Sequence, residues 1–410
     1  MSPNTIRFID IWMGKTACFI LTCHRRIVDM FLIRDATPSP AKKILFIKLI
    51  EQGATVLAYS AIRRAVQMVG RENVFFCVFE ENREILDILD VIPHDNIFAV
   101  RHNNFFIFLF DVARFLVNVR RLEIDATVDM EFFARASALL AYLTGARRRV
   151  GMHRYTSEAP YRGDLMTHRI QYNPYLHTAK TYNLLVEALK WDTHDVPLIK
   201  TPIDTVEEVV PEFIPREEET SHIKEMLRHR FGREIEGPLV LLNPNASDLI
   251  PIRKWPVENF IRLGTLILSH QNTTVIAITG TRAERETAED ICRKLGSSRV
   301  VNLTGETSLR SLMVLYTLSD VLVTNDSGPA HFASMTDIDT VVLYGPETPK
   351  LYGSRGNRFH AIQAGLACSP CVNVFNHRFS PCTNNICLQM ISPDEVYDKV
   401  LGCLQKRRGS

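Results

Sequence analysis

The sequence predicts an α/β protein with two Rossmann-like, doubly wound domains that face a central cleft. Short apolar segments alternate with helical segments along the chain, which is typical of parallel strands joined by helical crossovers. The chain has 410 residues, 46% of them hydrophobic, which is enough for two separate cores. A charged stretch at 205–236 separates two sets of apolar segments. We therefore predict domains at 42–215 and 216–410, behind an extension formed by residues 1–41.

Each predicted domain has its own strands and helices. In the first domain the predicted strands are 43–48, 73–79, 124–130 and 147–151, and the predicted helices are 55–68 and 132–143. In the second domain the predicted strands are 238–243, 273–279, 299–302, 321–324 and 340–344. Open parallel sheets bind ligands at the carboxyl ends of their strands, so polar residues that follow these strands are candidates for a site.

The N-terminal segment 6–33 predicts an amphipathic helix. Its apolar residues recur at helical spacing, but Lys15, Arg25 and Arg26 interrupt them, so we expect no membrane-spanning helix. Two interpretations remain open. The helix could lie in a membrane interface, or it could pack on the domain behind it, since an apolar stripe suits either surface.

Charge and cysteine content exclude some classes of protein. The chain has 48 basic and 46 acidic residues, so no overall field favours binding to nucleic acid. It has nine cysteines, an odd number, and we find no cleavable signal segment. We therefore expect a cytoplasmic protein with reduced thiols.

The segment 321–331 predicts an anion-binding turn. An apolar strand runs directly into Asp326, Ser327 and Gly328, and Pro329 then suits the first turn of a helix. Gly328 would allow close backbone approach, and free amide groups at the helix start would point at a phosphate. The alternative is an ordinary helix capped by Asp326 or Ser327, with His331 as a packed histidine.

Three further residues of the second domain are candidates for the same site. Lys254 and Asn245 follow its first strand, and a lysine there could neutralise a leaving diphosphate. Glu284 follows the next strand and could accept hydrogen bonds from ribose hydroxyls. The alternatives are a solvated lysine before a helix and a first-turn acid that complements the helix dipole.

Several separated segments resemble glycosyltransferase family 9, which includes the ADP-heptose:lipopolysaccharide heptosyltransferases. They occur at 43–65, 129–151, 254–256, 280–284, 301–305, 325–331 and 343–349. The resemblance implies the GT-B fold and an inverting, metal-independent transfer from a nucleotide-diphosphate sugar to an acceptor hydroxyl. Phosphate binding would fall to Ser327, Gly328 and His331, leaving-group stabilisation to Lys254, sugar contact or ordering of the turn to Asp326, and ribose binding to Glu284.

The resemblance also implies partners and a location. The donor would be a nucleotide-diphosphate sugar, with ADP-heptose as one candidate, and the acceptor a saccharide or lipid-linked glycan such as lipopolysaccharide. The enzyme would work in the cytoplasm, with contact to the inner membrane face through residues 6–33. Two alternatives stay open: another sugar donor, or an inactive donor-binding scaffold in a polysaccharide assembly complex.

The expected catalytic base of the family is missing from this chain. The family's first turn reads Gly-Asp, whereas here Gly53 is followed by Ala54, which cannot accept a proton. Glu51 lies in the same loop, and we expect it to be the base. Further candidates for acceptor contacts are Gly53, Asp129, Glu131 and Arg154, with helix capping as the alternative for Asp129 and a solvated face as the alternative for Arg154.

Four cysteines near the C-terminus could bind a metal. Cys368 and Cys371 form a Cys-x2-Cys pair, and Cys382 and Cys387 follow. Four thiolates could enclose a structural zinc ion, although the later spacings are irregular. Four reduced thiols without metal are the alternative, and no catalytic role follows from either.

Overall fold

A computed structural model describes residues 3–31, 40–193, 195–200, 202, 208–246 and 250–408. The chain forms two compact units, Met1–Val209 and Val210–Ser410. The division lies slightly before the predicted one, and the predicted extension belongs to the first unit.

The first unit contains a six-stranded parallel sheet in the order β3-β2-β1-β4-β5-β6. Its strands are β1 Ile44–Ile47, β2 Val74–Phe79, β3 Ile97–Val100, β4 Ala126–Asp129, β5 Arg148–Met152 and β6 His168–Ile170. Its helices are α1 Pro3–Phe31, α2 Gln52–Leu57, α3 Tyr59–Val69, α4 Glu84–Leu89, α5 Phe105–Arg121, α6 Arg135–Leu143 and α7 Thr178–Glu187. The predicted α/β class with a parallel sheet is confirmed.

Two details of the first unit differ from the prediction. The helix expected at 132–143 begins only at Arg135, because Phe133 takes a left-handed backbone conformation (φ 56°) that a helix cannot include. Sequence analysis also did not identify β3 and β6. They are the two edge strands of the sheet and are only partly buried, so they lack the fully buried pattern of the central strands.

Helix α1 packs one face on the first unit. Gly14 lies so close to Arg135 that an added Cβ would meet its side chain at 2.9 Å. Cys18 is fully buried, and Arg25 forms an ion pair with Asp164. The interpretation of this segment as a helix packed on its own domain therefore holds for that face. Residues 32 and 33 of the predicted helix lie outside the described residues, and no described helix is long and apolar enough to cross a membrane.

The second unit contains another six-stranded parallel sheet, in the order β12-β11-β10-β7-β8-β9. Its strands are β7 Leu239–Asn243, β8 Val275–Ile278, β9 Val300–Asn302, β10 Val321–Asn325, β11 Asp339–Tyr344 and β12 Phe359–Gln363. Its helices are α8 Glu217–Phe231, α9 Val257–His270, α10 Arg285–Leu295, α11 Leu309–Thr317, α12 Gly328–Ala333, α13 Pro349–Tyr352, α14 Ile386–Gln389 and α15 Pro393–Arg408.

The charged stretch that we expected to be a connection contains helix α8. Three glutamates occupy its first turn and Arg228, His229 and Arg230 its last, an arrangement that complements the helix dipole. Only Ile223, Leu227 and Phe231 are buried, so the apolar periodicity that reveals most helices is weak here.

The strand order places a ligand crevice in the second unit. The chain crosses from one side of the sheet to the other between β7 and β10, which are neighbours although three connections separate them. Doubly wound sheets bind ligands at this switch point, beyond the carboxyl ends of the two strands. Segments that follow β7 and β10 therefore lie where a site is expected.

Candidate functional site

The turn after β10 enters helix α12 without a side-chain cap. Ser327 adopts an extended conformation at the N-cap, and among the described residues no side chain accepts a hydrogen bond from the start of α12. The Ser327 hydroxyl instead donates to the carbonyl of Asn325 at 3.1 Å. The alternative of an ordinary capped helix is therefore not what the structure contains. The amide of Gly328 remains directed at whatever lies beyond the helix start.

The buried side chain of Asn325 holds three segments together at this edge. Its amide nitrogen donates to the carbonyls of Pro244 and Asn245 at 3.0 and 3.2 Å, and its oxygen accepts from the backbone amide of Trp255 at 2.9 Å. The loop after β7 and the segment carrying Lys254 are thereby fixed beside the end of β10. Lys254 itself is half-buried.

Asn245 carries a buried hydrogen-bond donor with no partner among the residues that the structure describes. The residue is 9% exposed, and its Nδ2 atom makes no hydrogen bond. An added Cβ on Gly280 would lie 2.7 Å from this Nδ2 and 2.7 Å from Oε2 of Glu284. An unpaired buried donor is unfavourable, so a ligand oxygen that accepts from it would be stabilised. Glu284 meanwhile accepts from the amide of Thr281 at 2.6 Å and so caps the short helical turn at 282–284, a role that differs from the predicted complement to the helix dipole.

His331 lies on α12 as a buried, neutral imidazole. Burial, with a smaller effect from the charge of Arg253, lowers its pKa to about 4. Its Nδ1 atom lies 3.1 Å from the hydroxyl of Ser354. At neutral pH this side chain can hydrogen-bond a ligand, but it brings no positive charge.

A cluster of buried polar groups, which sequence analysis did not identify, lies around Asp326. The guanidinium of Arg253 contacts Oε2 of Glu347 at 3.1 Å. Burial raises the pKa of Asp326, and the nearby Arg253 opposes this effect. Burial and the neighbouring Asp326 also raise the pKa of Glu347. Asp326 is 4% exposed, so its carboxyl is enclosed within the second unit. Position in the sequence could have identified both partners of Asp326. Arg253 directly precedes Lys254, and Glu347 lies within the segment 343–349 that resembles the family.

In the first unit Glu51 lies directly after β1 and before α2. Its backbone is left-handed (φ 70°), and its Oε2 is 3.6 Å from Nζ of Lys48, which is almost fully buried. Glu131 accepts from the amides of Leu49 and Ile50 at 2.7 and 3.1 Å. Glu131 thus fixes the loop that carries Glu51, while the carboxylate of Glu51 stays partly exposed.

The other acceptor candidates differ in accessibility. Asp129 is fully buried, forms an ion pair with Arg162 and accepts from Ser137 at 3.1 Å, so internal contacts occupy its carboxylate. Gly53 is buried within α2. Arg154 is exposed and donates to the carbonyl of Thr156 at 3.1 Å.

Cys368, Cys371 and Cys382 lie in the segment between β12 and α14, and Cys387 lies in α14. The amide of Cys371 donates to the carbonyl of Pro346 at 3.0 Å. The Cys387 sulfur would lie 2.9 Å from a Cβ on Gly345, next to Pro346. Cys368 and Cys382 belong to the same segment, and all four are free thiols.

A separate group of metal-ligating atoms lies within 4.8 Å of one another in the described part of the chain. It consists of Asp339, His360 and Cys403. Asp339 already forms ion pairs with Arg358 and Arg407. These cations balance the charge that would attract an ion.

Comparison with known proteins places these features in a family. A family model described as glycosyltransferase family 9 (heptosyltransferase) matches residues 112–378. Lipooligosaccharide heptosyltransferase 2 of Campylobacter jejuni is 26% identical over 191 residues, which are 44% of this chain and 58% of that protein. Lipopolysaccharide heptosyltransferase 2 of Escherichia coli is 24% identical over 216 residues, which are 52% of this chain and 58% of that protein. The matched region thus spans less than two thirds of these relatives.

Two solved structures are similar over most of their length. ADP-heptose lps heptosyltransferase II of E. coli has a TM-score of 0.67 at 18% identity, and covers 89% of this chain and 99% of its own. A family 9 glycosyl transferase from Veillonella parvula has a TM-score of 0.69 at 17% identity, and the match covers 90% of this chain and 99% of that one. At these identities the likeness shows a shared two-unit α/β fold.

Proposed function

Because the chain belongs to glycosyltransferase family 9, we propose that it transfers a sugar from a nucleotide-diphosphate donor to lipopolysaccharide or another surface glycan. The transfer would invert the anomeric centre and need no metal ion. The main observation behind this proposal is the start of α12, which has no side-chain cap among the described residues. It lies at the end of β10 and beside the end of β7, where its backbone amides could bind a diphosphate. ADP-heptose is the favoured donor, since the relatives are named heptosyltransferases.

Residues at the carboxyl ends of the strands of the second sheet are proposed to bind different parts of the donor. Gly328 and Ser327, with Pro329 setting the helix start, face the phosphates, and His331 adds a neutral hydrogen-bonding group. Lys254 balances charge on the leaving diphosphate. Asn245 and Glu284 meet beside Gly280, where a ribose or phosphate oxygen would accept from the Asn245 amide and a ribose hydroxyl would donate to the Glu284 carboxylate. Asp326 acts by holding the turn in place.

Glu51 is the proposed general base. As the acceptor oxygen bonds to the anomeric carbon, its proton passes to Glu51, and the bond between that carbon and the diphosphate oxygen breaks. The ion pair with Lys48 supports the role, because it orients a carboxylate that remains partly exposed at the carboxyl end of β1. Arg154 is proposed to contact the acceptor through its exposed charge, whereas Gly53 is buried within α2 and is not available for that contact.

A substitution pair tests the base. Glu51→Gln should lower the transfer rate by about 100-fold or more, while nucleotide affinity stays unchanged. Glu72→Gln is the matched control, because Glu72 is exposed and precedes β2 at the opposite edge of the same sheet. A full transfer rate in Glu51→Gln would remove Glu51 from the mechanism.

An inactive donor-binding scaffold is the competing function, and Ala54 in the place of the family's aspartate favours it. A thermal-shift panel of ADP, GDP, UDP and dTDP tests the donor half, since a bound ligand stabilises the folded state. Donor turnover with acceptor present then separates an enzyme from a scaffold. No shift with any nucleotide would count against both functions.

We also propose that Cys368, Cys371, Cys382 and Cys387 hold a structural zinc ion. Two observations support a structural metal ion. The segment from 364 to 385 has no helix or strand, and the backbone of Cys371 and the sulfur of Cys387 lie beside the neighbouring residues Pro346 and Gly345, respectively. Elemental analysis of protein purified without chelator should give about one equivalent of zinc. A content well below that would leave four reduced thiols.

The proposed place of work is the cytoplasm. The nine cysteines of the protein, all within the described residues, form no disulfide, which suits a reducing compartment, and a nucleotide-diphosphate donor would be made in the cytoplasm. Partition of the native protein between cytoplasmic and periplasmic fractions of a bacterial host tests this placement.

A further inference from the structure

Helix α1 exposes an apolar face on the side away from the first unit. Gly14 and the side chains of Cys18 and Thr22 lie on the inward face of the helix. Seven large apolar residues on the other side are between 57% and 80% exposed, namely Trp12, Met13, Phe19, Ile20, Ile27, Met30 and Phe31. Their spacing of three, four and seven residues places them along one stripe of the helix. Packing on the unit therefore accounts for only half of this helix.

Helix α5 has a similar arrangement. Phe115 and Val119 are buried against the sheet. On its outer side Phe106 is 78% exposed and Phe110 is 62% exposed. Phe105, Leu109 and Val117 extend the same outer side. Burial in the unit does not explain these residues, because isolated apolar residues are common on surfaces but contiguous ones indicate contact with a partner.

The two exposed faces belong to one helical layer. Cys18 of α1 and Phe115 of α5 pack into a single cluster on the same face of the sheet. Helix α6 lies between them, because Tyr142 contacts His24 of α1 at 2.8 Å and the carbonyl of Leu143 accepts from Arg120 of α5 at 2.8 Å. We call the outer apolar residues of both helices the α1/α5 surface.

Exposed basic side chains lie on both helices of the α1/α5 surface. Lys15 and Arg26 stand at the edge of the α1 stripe, and Arg114 and Arg121 are exposed on α5.

The acids of both helices are neutralised within the unit. Asp10 pairs with Arg135, and Asp29 pairs with Arg25. Asp111 of α5 is buried and pairs with Arg101, which holds the pKa of that carboxyl at about 2, below its usual range. The α1/α5 surface therefore combines apolar side chains with exposed cations, of which Arg26 also lies 3.9 Å from the carboxylate of Asp164.

We propose that the α1/α5 surface docks on an anionic lipid bilayer. Bulky apolar side chains beside lysine and arginine suit the boundary between acyl chains and headgroups, where the apolar groups insert and the cations meet lipid phosphates. A purely apolar protein partner would leave those cations unpaired. The docking rests on the geometry of the first unit and is independent of which sugar the chain transfers.

Vesicle binding of the full chain tests the proposal. The native protein should sediment with vesicles that contain about 30% phosphatidylglycerol, and more weakly with phosphatidylcholine alone, with added salt reducing the difference. The double substitution Phe106→Ser/Phe110→Ser should lower the partition coefficient about tenfold or more, and Phe19→Ser/Ile27→Ser should do the same. Lys15→Glu/Arg26→Glu should remove the preference for anionic vesicles.

A matched control uses exposed apolar residues of the second unit. Ile214 and Met390 are 73% and 57% exposed, so Ile214→Ser/Met390→Ser removes comparable apolar surface elsewhere. This variant should bind vesicles like the native protein, and circular dichroism should show native helix content in every variant. Three results would overturn the proposal: no vesicle binding by the native chain, an equal loss in the control, or self-association through the α1/α5 surface without any affinity for vesicles.

Discussion

The unpaired amide of Asn245 makes a test that separates stability from ligand binding. Its Nδ2 is buried and has no partner in the described part of the chain, while the backbone carbonyl of the same residue keeps its bond from Asn325 in any side-chain variant. Asn245→Ala therefore removes no hydrogen bond made by that nitrogen. If a donor oxygen accepts from this amide, the same substitution removes one ligand contact.

The magnitudes follow from hydrogen-bond energetics. An unsatisfied buried polar group destabilises by about 1–3 kcal/mol, so its removal offsets the small loss of packing and the free energy of unfolding should change by less than about 1 kcal/mol. A hydrogen bond to a charged oxygen contributes about 1.5–3 kcal/mol, so the dissociation constant for the nucleoside diphosphate should rise about 10- to 150-fold.

Calorimetric titration with ADP and urea unfolding measure the two quantities on one preparation. Thr274→Val is the matched control. Thr274 also buries an unpaired side-chain oxygen, but it precedes β8 at the amino end of the sheet. This variant should keep both its stability and its ADP affinity. Unchanged ADP affinity in Asn245→Ala would refute the assignment of the amide to the donor site.

Three predictions concern buried charge. Glu347 has a raised pKa, so native stability should fall as the pH rises from 4.5 to about 8, and Glu347→Gln should flatten that slope in urea titrations; an unchanged slope would contradict the shift. His331 has a lowered pKa, so the free energy of unfolding should fall by about 3 kcal/mol as the pH drops from 6.5 through 4. His331→Gln should abolish this pH-dependent loss in urea titrations. An equal loss in His331→Gln would contradict the lowered pKa. Arg162→Met leaves the buried carboxylate of Asp129 unpaired and should lower the free energy of unfolding by about 3–5 kcal/mol, whereas the exposed control Arg154→Met should not.

Some elements were predictable because their signal is local. The central strands β1 and β10 are continuous apolar runs, buried along their whole length, and such runs are distinct in any sequence. The turn at Asp326–His331 was also predictable, since it follows β10 directly. Helix α8 was missed because its stability comes largely from charges at its ends.

The sequence by itself determined the alternation of strands and helices, and with it two parallel sheets whose carboxyl ends carry the candidate residues. The tertiary structure decided how those residues are used. Burial enclosed Asp326 with Glu347 and Arg253, paired Asp129 with Arg162, and left the amide of Asn245 without a partner among the described residues. Each outcome depends on residues far apart in the chain, and periodicity carries no information about which distant side chains meet. For the same reason the sequence offered two interpretations of α1, and only the folded unit separated the face that packs from the face that stays exposed.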